Sequence, residues 1–133
     1  MDADALAAVV RMVPFSAHLG FALKEMGPQR VIVNAVIAPE YCTSGGTAHG
    51  GFLMALADFT GAVGAFQVLP EGAKGTTTIE SKTNMVGAAP AGSTLVATAT
   101  PVHVGRRTSV WTTRVESADG KLISLTTQTQ MAL

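Results

Sequence analysis

The chain has 133 residues, a length that suits one domain able to bury its own core, and a formal net charge of zero with 14% charged residues. Globular proteins average about 25% charged residues, so neither a basic face for nucleic acid nor a polybasic run for anionic lipid is expected, and the low charge points to surface buried in an oligomer. The one cysteine, Cys42, excludes an internal disulfide framework and fits a reducing compartment.

The opening Met1-Asp2-Ala3-Asp4 lacks the basic and apolar regions of a secretory leader. No segment approaches ~20 uninterrupted apolar residues, so a cytoplasmic protein outside the membrane is expected. Asp4 to Met12 reads as a short helix ended by Pro14. Gly20 to Met26 reads as a strand, Gly27-Pro28-Gln29 as a turn, and Arg30 to Ala38 as a strand alternating around Val31, Val33 and Ala35. Pro39 to Ala48 is polar and glycine-rich, hence a loop. From Gly50 to about Leu69, Leu53, Leu56, Phe59, Val63 and Phe66 recur at helical spacing, with Met54 and Ala55 broadening the stripe, and Pro70-Glu71-Gly72 stops the helix. The remainder is rich in threonine and valine: Thr76 to Val86, Thr94 to Val104, Thr108 to Ser117 and Leu122 to Met131 read as strands. Ala89-Pro90-Ala91-Gly92 and Ala118-Asp119-Gly120-Lys121 are turns, the second a hairpin whose Asp-Gly supplies positive φ. The four late strands can run as a meander. A helix apolar almost all round must be covered on most sides, and a strongly curved antiparallel sheet wrapped around it does so economically. The expected class is α+β.

Chemistry concentrates in Ala48-His49-Gly50-Gly51-Phe52-Leu53-Met54-Ala55-Leu56-Ala57-Asp58. Glycines at a helix start leave free N–H groups that a ligand can approach closely, at the end where the dipole favours developing negative charge. Asp58 is a carboxylate inside an apolar helix, costly unless paired, solvated or used. The pair reads as an oxyanion-binding turn with a base or nucleophile nearby. Structural alternatives stand beside this reading: Asp58 bonded to a loop N–H or an arginine, His49 making a helix-start hydrogen bond, and Gly50-Gly51 packing the helix tightly on the sheet. Asp58 lies nine positions after His49, roughly 13 Å along one helix. If both act on one carbon, one comes from a second subunit.

The order of two strands, one long helix and four strands resembles the hotdog fold. His49-Gly50-Gly51 followed by Ala55-Leu56-Ala57-Asp58 is similar to the motif of acyl-CoA thioesterases related to the phenylacetate-pathway PaaI proteins. Pro14-Phe15 with Leu19-Gly20, Gly92 before Leu95-Val96-Ala97, Val102-His103-Val104-Gly105-Arg106-Arg107 and Asp119-Gly120-Lys121-Leu122 extend the likeness over roughly residues 14 to 131. The resemblance implies a single hotdog thioesterase domain over 1–133, its curved antiparallel sheet wrapped around one central helix. It implies hydrolysis of a small acyl- or aryl-CoA thioester. It also implies a homodimer, or a homotetramer built from dimers, in which each site takes its histidine-glycine turn from one chain and its acid from the other.

In such a site the Gly50 N–H suits the oxyanion and Asp58 suits the base or nucleophile, while His49 polarises the carbonyl or supports the turn. The family usually places Asn or Gln six residues before the histidine. Here that position is Thr43, beside Ser44, whose hydroxyl has a shorter reach. Thr78 lies where some relatives place a Ser or Thr that holds the attacking water. Arg106 and Arg107 after Gly105, then Lys82 and Asn84, are candidates for the CoA phosphates. Phe52, Met54, Phe59, Val63 and Met85 are candidates for an apolar pocket, with core packing the default for each. His18, His103 and Cys42 show no metal-ligand spacing, and no glycine-rich phosphate loop follows a strand. No metal or cofactor is expected, coenzyme A being part of the substrate. The alternative is a hotdog protein that binds acyl-CoA without turnover. A hotdog dehydratase or hydratase would want a differently placed His with Asp or Glu.

Overall fold

The computed structural model describes residues 1–133. The Asp2 carboxylate caps the first helix, α1 (Ala3–Arg11), accepting from the Ala5 N–H at 2.9 Å, and Leu6 and Val10 on consecutive turns are buried. Pro14 does more than stop this helix. Its missing N–H and preset φ suit a first helical turn, and it opens a second short helix, α2 (Pro14–His18), in addition to the one expected from the sequence. Strands β1 (Ala22–Met26) and β2 (Val31–Val36) then pair antiparallel. The expected loop contains a short 3-10 turn at Pro39–Tyr41 and leads into the long helix α3 (Gly50–Gln67). Four strands follow: β3 (Thr76–Met85), β4 (Thr94–Val104), β5 (Thr108–Ser117) and β6 (Leu122–Ala132).

All six strands form one antiparallel sheet in the order β1-β2-β4-β5-β6-β3, and α3 packs against every strand. This is the expected α+β architecture with one correction. The late strands are not a four-stranded meander. Strands β4, β5 and β6 are, but β3 lies at the far edge, paired with β6 from Thr76↔Ala132 to Met85↔Ser124, and β4 is taken by β2 instead. Burial explains the choice. Leu95, Ala97 and Ala99 of β4 are buried beside their partners Ala35, Val33 and Val31 of β2, so this apolar pair belongs in the middle of the sheet. Strand β3 has no buried residue and carries threonine, lysine and asparagine, a composition that suits an edge.

Two glycines set the spacing between helix and sheet. A Cβ on Gly64 would lie 2.5 Å from the ring of Trp111, which is wholly buried and donates its indole N–H to Ser109 Oγ at 3.0 Å. At Gly61 the Gln128 amide occupies the place of a Cβ. Gly64→Ala is therefore expected to destabilise the protein. Overpacking costs about 1–3 kcal/mol, more than the ~1 kcal/mol that alanine ordinarily gains over glycine within a helix. Urea unfolding reads this as a lowered midpoint; a midpoint at or above wild type would show that the indole has room to move.

The cover on α3 is incomplete along one line. Met54, Asp58, Ala62 and Phe66 recur every fourth residue, Met54 is 40% and Phe66 52% exposed, and Asp58 and Ala62 are half-buried. No helix is long and apolar enough to cross a membrane.

Candidate active site

The turn before α3 is held from several sides. The His49 N–H donates to the Tyr41 carbonyl and the Ala48 N–H to the Ala89 carbonyl, each at 2.8 Å. The Tyr41 ring stacks on Phe52 with centroids 5.0 Å apart, and its hydroxyl donates to the His18 carbonyl at 3.2 Å. His49 is the N-cap, its Nδ1 accepting from the Gly51 N–H at 2.8 Å. An accepting Nδ1 is unprotonated, so the neutral ring carries its proton on Nε2. This bond consumes one of the two glycine donors. The Phe52 and Leu53 N–H groups both donate to the His49 carbonyl, at 3.0 and 3.2 Å. The Gly50 N–H alone in this turn donates to nothing within the chain. The tip of Met85 lies over Gly50, where a Cβ would come 2.6 Å from the sulfur.

Asp58 sits on the uncovered line of α3, and the sheet reaches it there. The Thr78 hydroxyl donates to Asp58 Oδ1 at 2.6 Å. Gln128 Nε2 lies 3.5 Å from the same oxygen and 3.4 Å from the Asp58 carbonyl. Behind Thr78, Gln130 Nε2 donates to the Thr78 oxygen at 2.5 Å, and the Thr76 hydroxyl donates to Gln130 Oε1 at 3.0 Å. The second carboxylate oxygen, Oδ2, has no partner in the chain. A register shift after Thr78 turns Ile79 outward while Thr78 keeps its contact with the helix.

Sequence reasoning singled out Asp58 and Thr78, and the fold brings them together. It missed Gln128 and Gln130. With Ser124 and Thr126 they form a wholly polar alternating row on β6 that is buried. The available signal was the run of polar residues at every second position of that strand.

The other candidates do not converge within one chain. Gly50 and Asp58 are eight positions apart on an unbroken helix, about 12 Å by helical rise. Thr43 spends its hydroxyl inside its own loop, donating to the Thr47 carbonyl and accepting from the Gly45 N–H, both at 3.3 Å. Gly105, Arg106 and Arg107 form the turn between β4 and β5, where the Arg107 carbonyl accepts from Ala132 at 2.7 Å. Both arginines are exposed and outside the salt bridges of the chain. Ala132 pairs with Thr76, and Asn84 lies about 26 Å further along β3, with Lys82 two residues before it. Both are exposed. Phe52, Phe59 and Val63 are core residues, whereas Met54 and Met85 are exposed. An open apolar groove of about 390 Å³ runs beside the helix between Met12, Val13, Phe59, Ala62 and Phe66. No three His, Cys, Asp or Glu side chains gather as a metal site would require.

The thioesterase superfamily profile matches residues 45–124, which span the turn, α3, β3 and β4 through the start of β6. Among solved structures, a point mutant of the phenylacetic acid degradation protein PaaI from Thermus thermophilus is 31% identical, over 90% of this chain and 99% of that one, with a TM-score of 0.83. A thioesterase of Haemophilus influenzae shares the fold at TM-score 0.87 and 22% identity, over 96% of this chain and 90% of its own. So does a protein of Streptococcus mutans bound to acetyl-CoA, at 0.78 and 23%, over 85% and 88%.

Proposed function

The chain belongs to the thioesterase superfamily, as a PaaI-like hotdog protein, and we propose that it hydrolyses a small acyl- or aryl-CoA thioester to the free acid and coenzyme A. The observation that carries this reading is the Asp58 carboxylate. It lies on the uncovered line of an apolar helix, one oxygen held by Thr78 at 2.6 Å and the other open.

In the proposed reaction Oδ2 takes a proton from water as the water attacks the thioester carbonyl, or attacks that carbonyl itself to form an acyl anhydride on Asp58 that water then hydrolyses to the free acid. The oxyanion that forms is met by the Gly50 N–H, and collapse expels the CoA thiolate. Water and side chains suffice, with coenzyme A entering as part of the substrate. The roughly 12 Å between Gly50 and Asp58 supports a division of these roles between two subunits, with a homodimer or a homotetramer of dimers as the active unit. The uncovered line of α3 and the free edge of β3 support that pairing. The apolar groove beside Ala62 suits the acyl part, and Arg106 and Arg107 suit the phosphates of CoA. A similar fold bound to acetyl-CoA supports this substrate class. The reaction is assigned to one domain over 1–133, acting in the cytoplasm.

The test is release of free thiol from a panel of acyl- and aryl-CoAs. Turnover of at least one small thioester is the expected result. Tight binding with no thiol released would favour a non-catalytic acyl-CoA-binding protein. Sharing of the site has its own readout. Mixed Asp58→Asn and Gly50→Val subunits, each inactive alone, are expected to regain about a quarter of wild-type activity by random exchange into two-fold pairs. No recovery despite demonstrated exchange would argue against a shared site.

A further inference from the structure

We propose that Gln130 is a positioning residue for this reaction: its buried amide fixes the direction of the Thr78 hydroxyl and thereby leaves Oδ2 of Asp58 as the oxygen open to water. The inference rests on the hydrolytic reading above. Thr78 has one hydroxyl proton to give, and an ionised carboxylate only accepts. An unrestrained hydroxyl on an edge strand would rotate among its staggered positions and donate to passing water. Here the Thr78 oxygen lies 2.5 Å from Gln130 Nε2, which only donates, and 2.6 Å from Asp58 Oδ1. The proton has one place to go, the carboxylate.

Gln130 is 1% exposed, so its amide has no water to turn to and is costly to leave unpaired. Both of its polar atoms are spent on this chain of groups, the other accepting from Thr76 at 3.0 Å. Turning the amide over would set its carbonyl against the Thr78 oxygen and draw the hydroxyl proton away from Asp58. The carboxylate, which only accepts, therefore selects this orientation, and the Thr76 hydroxyl, able to donate or accept, follows it by donating to the amide oxygen. The result is a directed series from Thr76 through Gln130 and Thr78 to Asp58, each group donating toward the acid. Gln128 touches the same Oδ1 at a longer 3.5 Å, but its own carbonyl oxygen is buried without a partner. The shorter, fully paired connection is the one through Gln130.

The experiment measures kcat and KM for Gln130→Met, Thr76→Val and Thr78→Val, and for the first two in the Thr78→Val background, with thermal unfolding as a check. Gln130→Met keeps the volume and removes both hydrogen bonds. It is expected to lower kcat about tenfold with KM nearly unchanged, and to cause no further loss once the Thr78 hydroxyl is gone. Thr76→Val leaves Gln130 in place and loosens its hold; about a threefold loss is expected, again absent in the Thr78→Val background. A merely structural glutamine would give the same factor in both backgrounds, and that result overturns the proposal. So does a folded Gln130→Met with wild-type kcat. Should Gln130→Met fail to fold, Thr76→Val decides alone, a wild-type kcat overturning the assignment. A wild-type protein that releases no thiol from any thioester removes the hydrolytic reading and this inference together. An active wild type with independent losses removes only this inference.

Discussion

Asp58→Asn is expected to lower kcat by about 10²-fold or more, the usual cost of losing a general base, with KM close to wild type. The amide keeps the shape of the carboxylate, and its oxygen still accepts from Thr78 in the 2.6 Å contact. Its nitrogen stands where Oδ2 stood, and a nitrogen that carries protons takes none from water. Because the side chain is only half-buried on the uncovered line of α3, the substitution leaves the core untouched and the thermal midpoint is expected to stay near wild type. A variant that turns over at most of the wild-type rate would mean that water is activated elsewhere.

Gly50→Val is expected to cost about 10²–10³ in kcat, the range seen when one oxyanion donor is lost. The side chain would crowd the only first-turn N–H without a partner in the chain. What it displaces within the fold is the tip of Met85, a flexible and 48% exposed side chain, so the fold is expected to survive. His49→Ala offers the contrast. Its ring bonds the Gly51 N–H as a cap, so its removal costs about 1 kcal/mol of stability and less turnover than Gly50→Val. A folded and fast Gly50→Val would make the helix start structural and exclude the proposed oxyanion donor.

The elements of this fold were legible wherever a local signal decides. The long helix follows from the spacing of Leu53, Leu56, Phe59 and Val63, and the last hairpin from Asp119-Gly120. The partner of β3 was not legible, because pairing compares strands far apart in sequence and depends on which of them the core needs most. Pro14 was read for what it stops, not for what it starts.

The site divides in the same way. Asp58 stood out as an acid among apolar neighbours, and Thr78 through resemblance alone. Gln128 and Gln130 were hidden because an alternating strand is read with its apolar face inward. On β6 the face that carries Leu125 and Met131 is only partly covered, and the face that carries Thr126, Gln128 and Gln130 is buried against helix and neighbouring strands. The rule fails where buried polar groups are needed to hold an acid. The ring direction of His49 was equally unreadable, since a cap and a catalyst have the same letter.

The contact between Gly61 and Gln128 has a consequence for how such a sequence drifts. The two positions occupy one volume: the amide at 128 fills the space that any side chain at 61 would claim. Adding a methyl at 61 first forces a buried amide out of place, away from the Asp58 oxygen it reaches at 3.5 Å. Shortening 128 first opens a void beneath the helix and withdraws that same donor. Either order passes through a handicapped intermediate. The pair is therefore a ratchet in sequence space, with 61 and 128 free to change only as a unit.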